Sequence, residues 1–144
     1  MSFQKINKED TQTQEGRECI LIYGFGGKDY AKLKSYCAMM GLRDLVQVDK
    51  EMLDEKVKNI LDGQITKIEC QEPPADRAIV LNAFSGQRLH IFLGNFKKTG
   101  LTRPLMATVT PKSIEWTFLE LITELQRERA AIAKSSQALH ETED

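Results

Sequence analysis

The sequence has few of the residues that build disulfide, redox or metal sites. Its 144 residues include three cysteines and two histidines. Cys19, Cys37 and Cys70 are odd in number and too widely spaced for a CxxC motif, so we expect three reduced thiols. Neither His90 nor His140 lies in a recognisable metal-binding motif. The sequence therefore predicts no metal site and no bound cofactor.

An excess of one charge and a long hydrophobic run are also absent. Twenty basic residues stand against 21 acidic ones, with a net charge of −1 and a pI near 6.2. This balance excludes a whole-chain attraction to nucleic acid or to an anionic membrane. Apolar runs such as 78–84 are far shorter than the roughly 20 residues of a membrane span, and the polar start does not resemble a signal peptide. We expect a cytoplasmic protein.

The sequence contains no recognisable set of catalytic residues. Ser85 is not in a GxSxG context, and His90 has no defined orienting acid. Asp49 and Glu51 suit the start of a helix, where carboxylates complement the helix dipole. No catalytic residue is predicted, and an enzymatic activity is disfavoured.

What the sequence does contain is the composition of one globular domain. Hydrophobic residues make up 41% and charged residues 28% of the chain, which is typical of a soluble single domain. Polar residues 1–17 suggest a flexible extension, residues 18–130 a domain and residues 131–144 a polar tail. The domain divides into two units and a linker, at 18–63, 64–77 and 78–130.

The two units have matching patterns of strand and helix. The first predicts strands near 18–25 and 45–48, each followed by a helix, at 28–40 and at about 49–62. The second predicts strands at 78–84 and 105–109, followed by helices at 85–98 and 113–129. Phe25-Gly26-Gly27 corresponds to Phe84-Ser85-Gly86 at an offset of 59 residues. An internal repeat is one interpretation, and chance similarity between two βα units is the other.

Alternating strands and helices predict an α/β fold with right-handed crossovers. We expect a small doubly wound, mainly parallel sheet of four strands in the order 2-1-3-4, with helices on both faces. The first and third helices would then lie on opposite faces. Strands one and three would meet at a topological switch point, where ligands bind in such sheets.

The loops that follow strands one and three are candidates for binding a small anion. Helix N-termini with exposed N–H groups attract phosphate or carboxylate groups, so the ligand could be a phosphate or a nucleotide-like molecule. The candidate binding residues are Gly24, Gly26, Gly27, Asn82, Ser85 and Gly86. Against this hypothesis, the glycines do not complete a GxGxxG pattern and Asp29 would repel an anion. Tight strand-to-helix turns are the alternative interpretation.

The last predicted helix carries apolar residues on two faces. Trp116 and Leu119 lie off the inward stripe formed by Ile114, Phe118, Leu121, Ile122 and Leu125. These two residues either contact a partner, such as a second copy of the chain, or are covered by the chain's own tail. The leading hypothesis is a non-catalytic protein-interaction or regulatory module that self-associates through this helix.

Four short runs resemble a known family. They are LIYGF at 21–25, VDKEMLD at 48–54, LNAFS at 81–85 and TVTPKSIEWTF at 108–118. Together they are similar to the bacterial domain-of-unknown-function family numbered 3783, over about residues 18–127. The resemblance implies a small bacterial intracellular domain, and it implies no activity and no site residue.

Overall fold

The computed structural model describes residues 16–142, and side chains as far as residue 134. Within these residues there are four strands and four α-helices. The strands are β1 (Cys19–Tyr23), β2 (Leu45–Val48), β3 (Ala78–Asn82) and β4 (Leu105–Thr108). The helices are α1 (Gly27–Met39), α2 (Val57–Leu61), α3 (Gly86–Asn95) and α4 (Phe118–Thr142). Short 3-10 turns form at Lys50–Met52, Phe96–Thr99 and Ser113–Glu115.

The four strands form one sheet in the order β2-β1-β3-β4, as predicted. β1 runs parallel to β2, and β3 runs parallel to β4. The central pair is antiparallel, with Leu21 opposite Val80. The expectation that β1 and β3 run in the same direction is therefore wrong, although two of the three strand pairs are parallel.

The length of α2 explains the direction of β3. The sequence predicts a continuous helix over about 49–62, which would carry the chain back across the sheet. The structure instead has a 3-10 turn and then a helix of five residues, which advances only about 7.5 Å. The linker then stays near the carboxyl end of β2, where the Ile68 amide donates to the Glu51 carbonyl at 3.0 Å. As a result, β3 starts beside the end of β1 and runs the opposite way.

The antiparallel centre also determines which helices share a face. Leu33 of α1 and Phe92 of α3 belong to the same buried cluster, against Ile20 and Ile79 of the sheet. Helices α2 and α4 pack on the other face, in a second cluster. The expectation that the first and third helices lie on opposite faces is wrong. Both units are right-handed. The second unit is related to the first by a half-turn about an axis perpendicular to the sheet, which reverses the direction of the strands but leaves the helix on the same face.

Helices α2 and α4 are joined by backbone hydrogen bonds at their starts. The Val57 amide donates to the Trp116 carbonyl at 2.8 Å, and the Leu119 amide donates to the Leu53 carbonyl at 2.8 Å. Lys56 and Thr117 form an isolated antiparallel bridge. These bonds require extended backbone, which is why both predicted helices break here and resume a few residues later.

The remaining segments differ in part from expectation. The linker 64–77 contains no strand. Helix α4 continues to Thr142, so much of the predicted tail is helical, while residues 143–144 lie outside the described part. Residues 1–15 of the predicted extension also lie outside it. None of the described helices combines the length and the apolar character needed to cross a membrane.

Candidate functional site

The two loops predicted to share a ligand lie at opposite ends of the sheet. Tyr23 pairs with Ala78 and Cys19 pairs with Asn82. The loop at 24–27 therefore leaves one end, and the loop at 82–86 leaves the other, about 16 Å away along the strands. The structure does not bring these two groups of residues together. The crevice expected between strands one and three does not form, because it requires parallel strands.

Asn82 and Ser85 make structural hydrogen bonds in the second loop. The Asn82 side-chain amide donates to the Arg17 carbonyl at 2.7 Å. The Ser85 hydroxyl is buried and accepts from the Arg88 amide at 3.2 Å, which caps α3 at the residue before Gly86. These two hydrogen bonds stabilise the fold, because a Ser N-cap satisfies an otherwise unpaired helix N–H.

Two ion pairs stabilise the end of the sheet near the 82–86 loop. The Arg17 guanidinium donates to both Asp44 carboxylate oxygens, at 2.5 and 2.6 Å, and to the Leu61 carbonyl at 2.9 Å. The hydrogen bond from Arg17 lowers the pKa of Asp44. Arg88 lies 3.0 Å from the Glu18 carboxylate. Arg17, predicted to lie in a flexible extension, is in fact tied to the domain.

The first loop packs closely against Arg77. Gly24 has a φ of 87°, and a Cβ built there would lie 3.1 Å from the Arg77 Cγ, so a side chain would be both strained and crowded. The Arg77 guanidinium carbon lies 5.0 Å from the centre of the buried Phe25 ring. Gly26 precedes α1 with extended backbone and no side-chain cap, and Gly27 has a φ of 56°. The loop therefore presents an uncapped helix N-terminus beside Arg77.

Asp29 in the first turn of α1 is paired with this arginine. The Arg77 Nη2 atom lies 2.7 Å from the Asp29 Oδ2 atom. The sequence argument against an anion rests on the charge of Asp29. That charge is offset by Arg77, so the objection is weaker in the structure than in the sequence.

A polar cavity of about 460 Å³ lies beside this loop and opens to solvent. Its charged lining residues are Asp29, Lys32, Asp76, Arg77, Arg103 and Arg129. Sequence reasoning missed this group of residues. No local motif could reveal it, because the six residues come from four separate parts of the chain. We call it the basic cavity.

Trp116 and Leu119 are half-buried at the base of α4. Both pack against the cluster that α2 and α4 share. The Trp116 ring also lies 5.9 Å from the Lys112 ammonium. The 53–57 segment thus covers part of these two residues. Their outer sides line a shallow groove of about 410 Å³ with Glu120, Thr123 and Arg127.

The buried cysteines have the character of core residues. Burial raises the pKa of Cys19 to about 11 and that of Cys37 to about 12. Both thiols are therefore protonated at neutral pH, and a thiolate is the nucleophilic and metal-binding form. In the described part of the chain, no group of three His, Cys, Asp or Glu residues is placed to hold a metal ion.

Comparison with known proteins gives one match. No curated protein and no solved structure matches the chain. A family model described as "Domain of unknown function (DUF3783)" matches residues 77–132, which extend from the residue before β3 into α4. The resemblance expected over about 18–127 is therefore found in the second unit, and the description carries no activity. From residue 77 to residue 132, this chain resembles the domain of unknown function DUF3783.

Proposed function

We propose that the chain is a non-catalytic interaction module that forms a homodimer through α4. The observation that carries the proposal is the length of this helix relative to the domain it belongs to. Its last core residue is Leu125, whereas the helix continues to Thr142. The part beyond the core is long enough to require another source of stability.

The projecting part of α4 is exposed and partly apolar. Residues 129–134 are all exposed, and the Ile132 side chain retains 67% of its accessible surface. Ala130, Ala131 and Ala133 are close to it in the sequence. Most of the stability of helices in proteins comes from tertiary packing of an apolar face. A partner that covers Ile132 would provide that packing.

Charge distribution favours a second copy of the same helix as the partner. Glu120 and Glu124 lie in the early turns of α4, Arg127, Glu128 and Arg129 follow, and Lys134 lies furthest along; Arg127 is 3.6 Å from Glu124 within the helix. If two copies pack antiparallel about a two-fold axis, the acidic first turns of one helix lie towards Lys134 of the other. Self-complementary surfaces of this kind are what a symmetric dimer requires.

Leu119 and Ile132 are about 140° apart around α4, so Trp116 and Leu119 would contact the partner only if the interface extended around the helix to their groove. Their groove adjoins Glu120 and Arg127 on the outer surface of α4. Because both residues also pack on the core, replacing them would weaken the fold as well as the contact. Ile132 is the cleaner position at which to test association.

The test is sedimentation velocity over a range of protein concentrations. We expect a dimer that dissociates on dilution, and we expect Ile132→Glu to be monomeric at concentrations where the unchanged protein is dimeric. Met39→Glu is the matched control, because Met39 is 87% exposed on α1, which packs on the other face. An unchanged protein that is monomeric at high micromolar concentration would refute the proposal. So would a dimer that survives Ile132→Glu.

The alternative function is binding of a small anion by the loops after strands one and three. The two loops lie at opposite ends of the sheet, so they do not form one binding site. The 82–86 loop is occupied by hydrogen bonds within the fold. The cytoplasmic location stays a prediction from the sequence.

A further inference from the structure

We propose that the basic cavity is a binding site for a small polyanion, a molecule that carries at least two negative charges on phosphoryl or carboxylate groups. The site is independent of the dimer proposal. It also differs from the sequence hypothesis, because residues 82–86 have no part in it.

The cavity forms where the two helical layers meet beyond one end of the sheet. Helix α1, from one layer, contributes Asp29 and Lys32, and α4, from the other, contributes Arg129. The end of the linker supplies residues 75–77, and the loop before β4 supplies residues 100–104. Four parts of the chain thus direct charged side chains to one place.

The charges of the cavity do not balance internally. Arg77 pairs with Asp29 at 2.7 Å, and Arg129 lies 3.8 Å from Asp76. Lys32 and Arg103 have no ion-pair partner within the described part of the chain. Four cations against two carboxylates leave two positive charges in the cavity, in a protein whose net charge is −1. This excess of positive charge would attract an anion.

The loop that carries Arg103 is anchored at both ends. The Thr99 hydroxyl donates to the Phe96 carbonyl at 2.8 Å and accepts from the Leu101 amide at 3.1 Å. After the loop, the Leu105 amide donates to the Arg77 carbonyl at 2.9 Å. The backbone of Arg103 is therefore positioned before any ligand arrives, which reduces the entropy lost on binding.

Arginine chemistry determines the class of ligand. A planar guanidinium donates two parallel hydrogen bonds to the oxygens of a phosphate or carboxylate group. About 460 Å³ lies in the range of small-molecule sites. An open, polar cavity of this size suits a compact molecule with several charges. The uncapped N-terminus of α1 adds favourable electrostatics at the rim.

The test is an NMR titration of the ¹⁵N-labelled full chain with inorganic pyrophosphate and, separately, with citrate. Sodium chloride at matched ionic strength corrects for screening. We expect saturable shifts of the amide signals of residues 100–103 and of Lys32. Arg103→Gln and Lys32→Gln should each weaken binding about tenfold, the loss expected for one charge-assisted hydrogen bond. Lys97→Gln is the matched control, because Lys97 is an exposed lysine nearby that does not line the cavity.

Each outcome decides the proposal. Saturation by pyrophosphate alone supports a phosphoryl ligand, saturation by citrate alone supports a carboxylate ligand, and saturation by both supports a general polyanion site. The proposal fails if neither anion saturates below about 10 mM, or if Arg103→Gln binds as well as the unchanged chain. Ile132→Gln, which adds no charge beside Arg129, should bind the anion normally, so failure of the dimer proposal and failure of this one are distinguishable.

Discussion

The Tyr36 hydroxyl donates a hydrogen bond of 2.6 Å to the Phe92 carbonyl, inside the core that α1 and α3 share. The two aromatic rings are also in contact, with centroids 5.3 Å apart. The two residues come from different strand–helix units, 56 positions apart in the chain. This contact exists only because α1 and α3 lie on the same face of the sheet. It is therefore a direct probe of the antiparallel arrangement of the two units.

Tyr36→Phe should destabilise the protein by about 1 kcal/mol, the usual net value of one buried hydrogen bond. The ring and its packing would be retained, so the loss would report the hydroxyl alone. Urea unfolding followed by circular dichroism measures the change. Tyr30→Phe is the control, because the described contacts give the half-buried Tyr30 side chain no hydrogen bond, and its stability should change by less than about 0.5 kcal/mol. Equal losses of stability at the two positions would contradict the hydrogen bond between Tyr36 and Phe92.

The start of α4 provides a second prediction. The Thr117 hydroxyl accepts from the Glu120 amide at 3.1 Å, and the Glu120 carboxylate accepts from the Thr117 amide at 3.0 Å. This reciprocal pair is a capping box. Thr117→Ala should cost about 1 kcal/mol, measured by thermal or urea unfolding. Thr102→Ala, at an exposed loop residue, should have little effect, and a cost at Thr117 no larger than that at Thr102 would argue against the capping role.

The parts of the fold that follow from local pattern could be predicted. The spacing of Leu33 and Cys37 predicts a helix at 28–40, and α1 spans Gly27–Met39 with both residues buried. The apolar run at 78–84 predicts a strand, and β3 lies within it. These elements are correct because burial of their own side chains determines their conformation.

The direction of β3 could not be predicted, because it depends on a competition between distant groups. Met52, Val57 and Ile60 lie in the segment predicted to be a helix, and all three are buried. The helix is nevertheless interrupted at Lys56, whose ψ is 143°. Backbone bonds between 53–57 and 116–119 replace the helical ones there. The basic cavity could not be predicted for the same reason. Its lining residues come together only because of the direction in which β3 runs.

The pH dependence of stability should involve Glu55. Its carboxylate accepts from the Thr66 amide at 2.9 Å and from the Asn59 side chain at 2.8 Å. These two hydrogen bonds lower the pKa of Glu55 in the folded state. A lowered carboxyl pKa means that the stabilisation is complete above the unfolded pKa and is lost as the pH falls through the folded pKa.

Glu55→Gln should therefore be less stable than the unchanged protein at pH 7, and the difference should shrink as the pH falls from about 5 to 3. Urea unfolding at several pH values measures this convergence. Glu72→Gln is the control, because Glu72 is exposed in the linker and should give parallel curves. A Glu55→Gln curve that stays parallel to that of the unchanged protein would show that the carboxylate contributes no pH-dependent stability.

Two glycines of the first loop should differ in how much stability the same substitution removes. Gly24 combines a φ of 87° with close contact to Arg77, so Gly24→Ala should cost about 1–2 kcal/mol for the backbone alone. Gly26 has a φ of −149°, and a Cβ built there meets nothing within 4 Å. Gly26→Ala should change stability by less than about 0.5 kcal/mol, as measured by urea unfolding. A large loss at Gly26 with none at Gly24 would mean that the loop has a different conformation.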